Sequence, residues 1–352
     1  MIEGWHGHPA RALEFFMLRS RLLIWSGVLI LLALSWGLPA SGLLNPYVVQ
    51  ILMYVGINMI LTLSLNLVNG YMGEFSVGHA GFMAIGAYVS AIMSVWYLPR
   101  DLGPWLFPVI LVIGGLAAAL AGLVVAFPSF RTRGDYLAIV TLAFNMIVKS
   151  ILENLEVVGG PRGFKDISGL TNLPWVVFWV LLTLYLLRNL VYSNFGRGIT
   201  AIREDEVAAN LTSVDTRRLK VYAFCISAFF AGVAGGLFAH LLQFINPRSF
   251  SILKSTDMLV MVYLGGMGSL TGSLLGATLF TLVLEFLRPL GLWRWVIGPL
   301  LLVLLMIFRP RGIMGFKDPR WIKPADEEYY GGGGGPGSQP PAPSPTSPHS
   351  IP

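Results

Sequence analysis

Charge is what this chain lacks most. Only 12% of its residues are Asp, Glu, Lys or Arg, against about 25% in an average soluble protein. Glu74 is the one such residue between Leu22 and Pro99, and none occurs between Gly103 and Phe130. That scarcity excludes a soluble helical core, whose helices would need polar faces. Cysteine is nearly absent as well: Cys225 stands alone in an apolar segment and can form no intrachain disulfide. Missing too is any basic stripe with interleaved aromatics. The net charge of +6 is carried in short loops between apolar runs, which excludes nucleic acid as the partner.

What is present is apolar sequence, 55% of the chain, in runs long enough for a hydrocarbon layer about 30 Å thick. Splitting the runs at loops predicts spans near 22–38, 47–68, 79–97, 105–127, 136–154, 174–192, 221–243, 257–267, 272–286 and 295–308. The fold class is therefore all-α, a polytopic membrane protein of about ten transmembrane helices, some broken at glycine-rich turns. The two segments around Gly265, Gly266 and Gly268 could instead be one broken helix, which would make nine. Ten places Arg11, Arg19 and Arg21, Arg131 and Arg133, Arg197 to Lys220, and Arg309, Arg311, Lys317, Arg320 and Lys323 on one face. By the positive-inside rule that face is cytoplasmic, and both termini with it. The run from Leu22 to Leu38 after three arginines resembles a signal peptide, yet further spans follow, so it is expected to be an uncleaved first helix.

Two stretches share a pattern of a glycine turn flowing into a small-residue helix: Gly73 to Gly81 with Gly86, and Gly266 to Gly272 with Gly276. Ordinary close packing explains such glycines, and so does a pair of broken helices at a translocation path. On the second reading the path residues are Asn66, Glu74, Ser76, Gly78, His79, Gly81, Gly266, Gly268 and Gly272. Glu74 and His79 are ionisable groups inside an apolar region, which makes them functional candidates. A loop glutamate in water and a structural histidine at a helix start are their plainer alternatives. Asp135 is expected to cap the helix that begins at Tyr136. The histidines, cysteine and carboxylates show no metal-ligand spacing, so no metal and no cofactor are expected.

The largest polar insertion, Ser193 to Lys220, reads SNFGRGITAIREDEVAANLTSVDTRRLK. Its middle predicts a short helix after Gly198, with small and apolar Ala201, Ile202, Ala208 and Ala209 beside charged Arg203, Glu204, Asp205 and Glu206. A membrane-surface helix is one reading, but an anionic leaflet would repel the three acids. A helix that docks into a groove on a cytoplasmic partner fits better.

The same stretch, from Gly196 to Phe224, resembles the cytoplasmic loop of permeases from branched-chain amino acid ABC importers, the LivM-type subunit. NLVNGYMGEFSVGHAGFMAIGAYVSA (Asn66 to Ala91), RTRGDYLAIVTLAF (Arg131 to Phe144) with GGPRG (Gly159 to Gly163), and YLGGMGSLTGSLLGA (Tyr263 to Ala277) resemble that family in the same order. The resemblance covers roughly Tyr47 to Gly315. It implies an importer subunit for a small polar solute, with ATP hydrolysed on a separate subunit that contacts the Gly198 to Ala209 helix. It also implies partners: a second homologous permease, cytoplasmic ATP-binding subunits, a periplasmic or extracellular solute-binding protein, and membrane lipid. The expected location is a bacterial plasma membrane. Residues 1–21 would be a cytoplasmic segment, 22–315 the permease domain with its coupling loop at 193–220, and 316–352 a largely disordered tail. Ser213, Asn145 and Met146 depart from the family, standing where glycine, glycine and glutamate are usual. Branched-chain or other amino acids are the expected solutes; urea or short amides, moved by the same family, are the alternative. A stand-alone secondary transporter or channel would call for more intramembrane charge. No GxxxxGK[ST], GxSxG or HExxH motif occurs, so no catalytic residue is assigned.

Overall fold

The computed structural model of this chain describes residues 44–97, 103–130, 136–211 and 215–293, with 31–37, 39, 42, 296, 297, 300, 303, 304, 307, 308, 312–315 and 318. Arg11, Arg19, Arg21, Arg131, Arg133, Asp135, Ser213, Arg309, Arg311, Lys317, Arg320 and Lys323 lie outside the described residues. So do residues 1–21, 331–352, most of the expected span 22–38 and half of the expected span 295–308.

Helix α1, Pro46–Asn66, begins where the Asn45 side chain accepts from Tyr47 N and a proline takes the first turn. It passes into a π-helical segment, Leu67–Tyr71, and then loses helical form until α2, His79–Ile92, which itself ends in a π-helical segment, Met93–Tyr97. Next come α3 (Gly103–Ser129), α4 (Tyr136–Asn154) and α5 (Leu173–Val191). Two short helices follow, α6 (Asn194–Glu204) and α7 (Glu206–Leu211), then the long α8 (Thr216–Leu242). Then come α9 (Ile252–Gly265) and α10 (Leu270–Phe286). An antiparallel bridge, Phe164 with Ile245, ties the loop after α4 to the loop after α8.

Among the described residues six helices are long and apolar enough to cross a membrane: Pro46–Tyr71, His79–Tyr97, Pro104–Ser129, Tyr136–Asn154, Leu173–Val191 and Thr216–Leu242. The chain is all-α and polytopic, as expected, while the count of ten rests partly on residues outside this set. The segments expected near 257–267 and 272–286 are two helices. At a 1.5 Å rise per residue, α9 and α10 are only about 21 and 26 Å long. They form a tight antiparallel hairpin, because Gly266 and Gly268 hold the turn at φ 115° and 69°, backbone that favours glycine.

The core lies where α8 packs against α2 and α3, and it is built from small residues. A methyl on Gly86 would fall 2.2 Å from Gly232 Cα, so α2 and α8 touch backbone to backbone. In lipid, where apolar side chains gain nothing by leaving water, such close van der Waals contact is what holds helices together. The hairpin uses the same device: a methyl on Gly272 would lie 2.6 Å from Gly265 O. At the start of α2, a methyl on Gly78 would lie 2.2 Å from Thr141 O.

Gly78→Ala and Gly272→Ala should therefore each destabilise the purified protein by about 1–3 kcal/mol, since rigid backbone cannot yield as a side chain can. Gly37→Ala is the control, because among the described residues no atom lies within 4 Å of its added methyl. Thermal denaturation in mild detergent checks the difference. Equal melting temperatures for all three would remove the close-packing account.

Candidate functional site

The non-helical stretch between α1 and α2 is the unusual element. Tyr71 lies at the end that carries α6 and α7, while Ser64, two turns earlier on α1, is already level with His79. Between them residues 73–78 run back into the bundle without helical form. Asn69 closes the loop by accepting from Ser76 N at 3.3 Å. Thr141 Oγ1 accepts from Val77 N at 3.1 Å, and Ser255 Oγ from Ala80 N at 3.1 Å. His79 is buried, its Nε2 2.8 Å from Ser64 Oγ. The Ser64 hydroxyl donates to Leu61 O at 2.9 Å, which leaves its oxygen to accept from the imidazole N–H.

Asn66 joins this stretch to the hairpin turn. Its Oδ1 accepts from Gly268 N at 2.9 Å, and its Nδ2 donates to Ser269 O at 2.9 Å and Ser273 Oγ at 2.7 Å. The two glycine turns found in the sequence thus meet. Asn66, Ser76, Gly78, His79, Gly81, Gly266, Gly268 and Gly272 are all buried in this region. Glu74 is half-buried and carries an ion pair, so it is not a glutamate loose in water. Asn145 is also buried, beside Gly81, whereas Met146 is exposed.

That ion pair links the broken stretch to the polar loop. Lys220 Nζ, at the start of α8, lies 2.6 Å from Glu74 Oε1 and 2.9 Å from Glu206 Oε2. Arg203 on α6 donates to Gly70 O at 3.2 Å. The polar loop differs in detail from its expected form. Its helix starts at Asn194 rather than after Gly198, because Ser193 Oγ accepts from Gly196 N at 3.4 Å and caps it there. It breaks at Asp205, whose extended backbone ends α6 and whose carboxylate accepts from Val207 N at 2.8 Å and Ala208 N at 3.0 Å to start α7.

Ile202 and Ala209, expected on the outward face, are buried against this chain's own body. Gly198 and Arg203 are half-buried, and Ala201, Glu204, Asp205, Glu206 and Ala208 remain exposed. The outward set also includes Leu211, 83% exposed, which the sequence counted among the loop's apolar surface, and Val207, 70% exposed, which it did not single out. The signal for Val207 was available: an apolar side chain four residues before Leu211 on a polar loop.

Asp318 is a further residue not singled out. Its carboxylate accepts from Ser269 Oγ at 2.8 Å, Thr271 N at 3.1 Å and Thr271 Oγ1 at 2.9 Å, and from the Tyr71 and Tyr192 hydroxyls, both at 3.2 Å. Asp318, which falls in the segment assigned to the tail, is therefore held at the hairpin turn. Among the described residues no three of His, Cys, Asp and Glu gather as a metal site.

Lys220 is the buried member of its cluster, so its two carboxylates should not weigh equally. Glu74→Gln should cost about 1.5–3 kcal/mol, the range for a hydrogen bond to a charged group. Glu206 is half exposed, and Glu206→Gln should cost under about 1 kcal/mol. Melting of both variants in detergent measures the order; the reverse order would mean that Glu206 is the main counter-charge.

Residues 47–309 match the family described as branched-chain amino acid transport system, permease component. The chain is 37% identical over 327 residues to the high-affinity branched-chain amino acid transport permease LivM of Escherichia coli K12, covering 83% of this chain and 75% of that one. A probable LivM of Methanocaldococcus jannaschii is 25% identical over 319 residues, 75% and 92% of the two chains. The high-affinity branched-chain amino acid transport system permease protein LivH of Escherichia coli K12 is 26% identical over 283 residues, 73% and 90%. No solved structure matches. With three quarters of its length inside the family match and the polytopic helical architecture in place, the chain belongs to the branched-chain amino acid transport permease family.

Proposed function

We propose that this chain is one permease subunit of an ABC importer for branched-chain amino acids, with ATP hydrolysed on a separate cytoplasmic subunit. The observation that carries this reading is the way α6 and α7 are mounted. Arg203 ties α6 to Gly70 of the broken stretch, and Glu206 ties α7 to Lys220, itself paired with Glu74, while Ala201, Asp205, Val207, Ala208 and Leu211 face outward. A small-residue surface with two exposed apolar side chains suits a groove on a partner, and its attachment allows a push on the loop to reach Gly70 and Glu74. Similarity to both LivM and LivH supports pairing with a second, related permease. The further partners are the ATP-binding subunits, a solute-binding protein outside the cell and the surrounding lipid. Catalysis is assigned to none of this chain's residues.

Ala208→Arg tests the docking surface. A bulky charge in a small interface meets both a clash and an unpaired buried charge. The variant should insert and bind its permease partner normally, yet lose the co-purifying ATPase and ATP-driven leucine uptake. Full uptake would leave α6–α7 as a surface feature and remove the main support for the importer reading.

The face carrying α6 and α7 is assigned to the cytoplasm, with both termini on it, on the arginine and lysine bias of its loops. Reporter fusions after Gly160 and at the C-terminus should give opposite signals. A C-terminal reporter active outside the plasma membrane would refute this orientation.

A further inference from the structure

At the face opposite α6 and α7, a cleft of ≈ 500 Å³ opens between α1, α9 and α10. That volume is in the range of small-molecule sites, about 300–1,000 Å³. Lys254 lies in it, half-buried on the first turn of α9, with its ammonium 3.2 Å from Asn58 Oδ1 and 3.5 Å from Tyr54 OH. The ammonium also sits 5.1 Å from the centre of the Tyr54 ring. All of these partners are neutral. Among the described residues no carboxylate lies within ion-pair distance of Lys254, in contrast to Lys220, which has two.

The amide that holds Lys254 is itself oriented. Asn58 Nδ2 donates to Thr281 Oγ1 at 2.9 Å, and this fixes its oxygen toward the ammonium. The cation is therefore positioned by neutral acceptors but not neutralised by them, an arrangement that favours an incoming anion. Around it, Ile51, Leu253 and Leu284 supply apolar wall, and Asp257, one turn further along α9, adds negative charge to the same cleft.

A fixed cation beside apolar walls matches two parts of an apolar amino acid, its carboxylate and its side chain. We infer that this cleft is an outward-side subsite for the translocated solute, in which Lys254 takes the solute's carboxylate. The inference rests on the importer reading and deepens it, because neutral urea or a short amide offers nothing for the cation to pair.

The test uses the complete importer, with its binding protein, in liposomes supplied with radiolabelled leucine. Absence of any ATP-driven uptake by the unaltered complex would sink the importer reading itself, apart from anything at Lys254. Given uptake, Lys254→Gln should lower it at least about tenfold, the equivalent of losing one charge-assisted hydrogen bond, with complex yield and ATP hydrolysis stimulated by the binding protein left within about twofold. Lys254→Arg should recover part of the uptake. Leucine uptake at the unaltered rate in Lys254→Gln overturns the inference. So does a parallel loss of stimulated hydrolysis, or an Arg variant as impaired as the Gln variant, since both would mark a packing role. An unaltered complex that carries urea or acetamide but not leucine also overturns it.

Discussion

Backbone amides inside a bilayer have no water to bond, so every departure from helix must bring its own partners. The stretch from Leu67 to Ala80 is such a departure, and much of the structure exists to satisfy it. Met72 N returns to Leu67 O, Glu74 N to Val68 O, and the amides of Ser76, Val77 and Ala80 reach side chains of Asn69, Thr141 and Ser255. These last two acceptors come from α4 and α9, so the break in one helix dictates which helices surround it. It also dictates glycine at Gly70, where a methyl would lie 2.4 Å from Gly268 N. A continuous helix would need none of these polar groups.

Electrostatics adds a second constraint at the end that carries α6 and α7. A buried ammonium survives only with close counter-charges, and Lys220 has one from the broken stretch and one from the polar loop. Moving α7 away from α8 would leave Lys220 with Glu74 alone. The loop is therefore attached by a contact whose strength depends on its position, as a two-state coupling element requires. The Asp318 carboxylate acts on the other side of the same end, bridging Tyr71, Tyr192 and the hairpin turn with five hydrogen bonds.

Much of this was legible in the sequence, for reasons that also explain the rest. Hydropathy placed α1, α4 and α5 within a residue or two, because a span has few polar residues whatever it packs against. The glycine patterns at Gly73 to Gly81 and Gly266 to Gly272 marked the two turns, since tight turns and close approach both demand glycine. That these turns touch through Asn66 was not legible; it depends on a contact across some 200 positions. Ile202 and Ala209 were placed on the wrong side of α6 and α7 for the same reason. Amphipathicity identifies a face, but the body that covers it is set by tertiary packing. Lys254 and Asp318 were passed over because each lies just beyond an apolar run, where charge is ordinary.

Helices α1, α9 and α10 are the elements common to both ends. On α1, Asn58 holds Lys254 and Asn66 holds the hairpin turn, eight residues or about 12 Å apart along the axis. On α9, Lys254 and the Gly266 turn are twelve residues apart, about 18 Å of helix. The hairpin's glycine contacts leave α9 and α10 little freedom to slide past each other, because backbone meets backbone at Gly265 with Gly272 and at Gly276 with Met261. A displacement at the turn must then be carried by both helices as one body. Dense packing resists gradual deformation and favours discrete alternative arrangements. The cleft that holds Lys254 and the turn that meets Asn66 at the broken stretch are thereby two ends of one rigid unit.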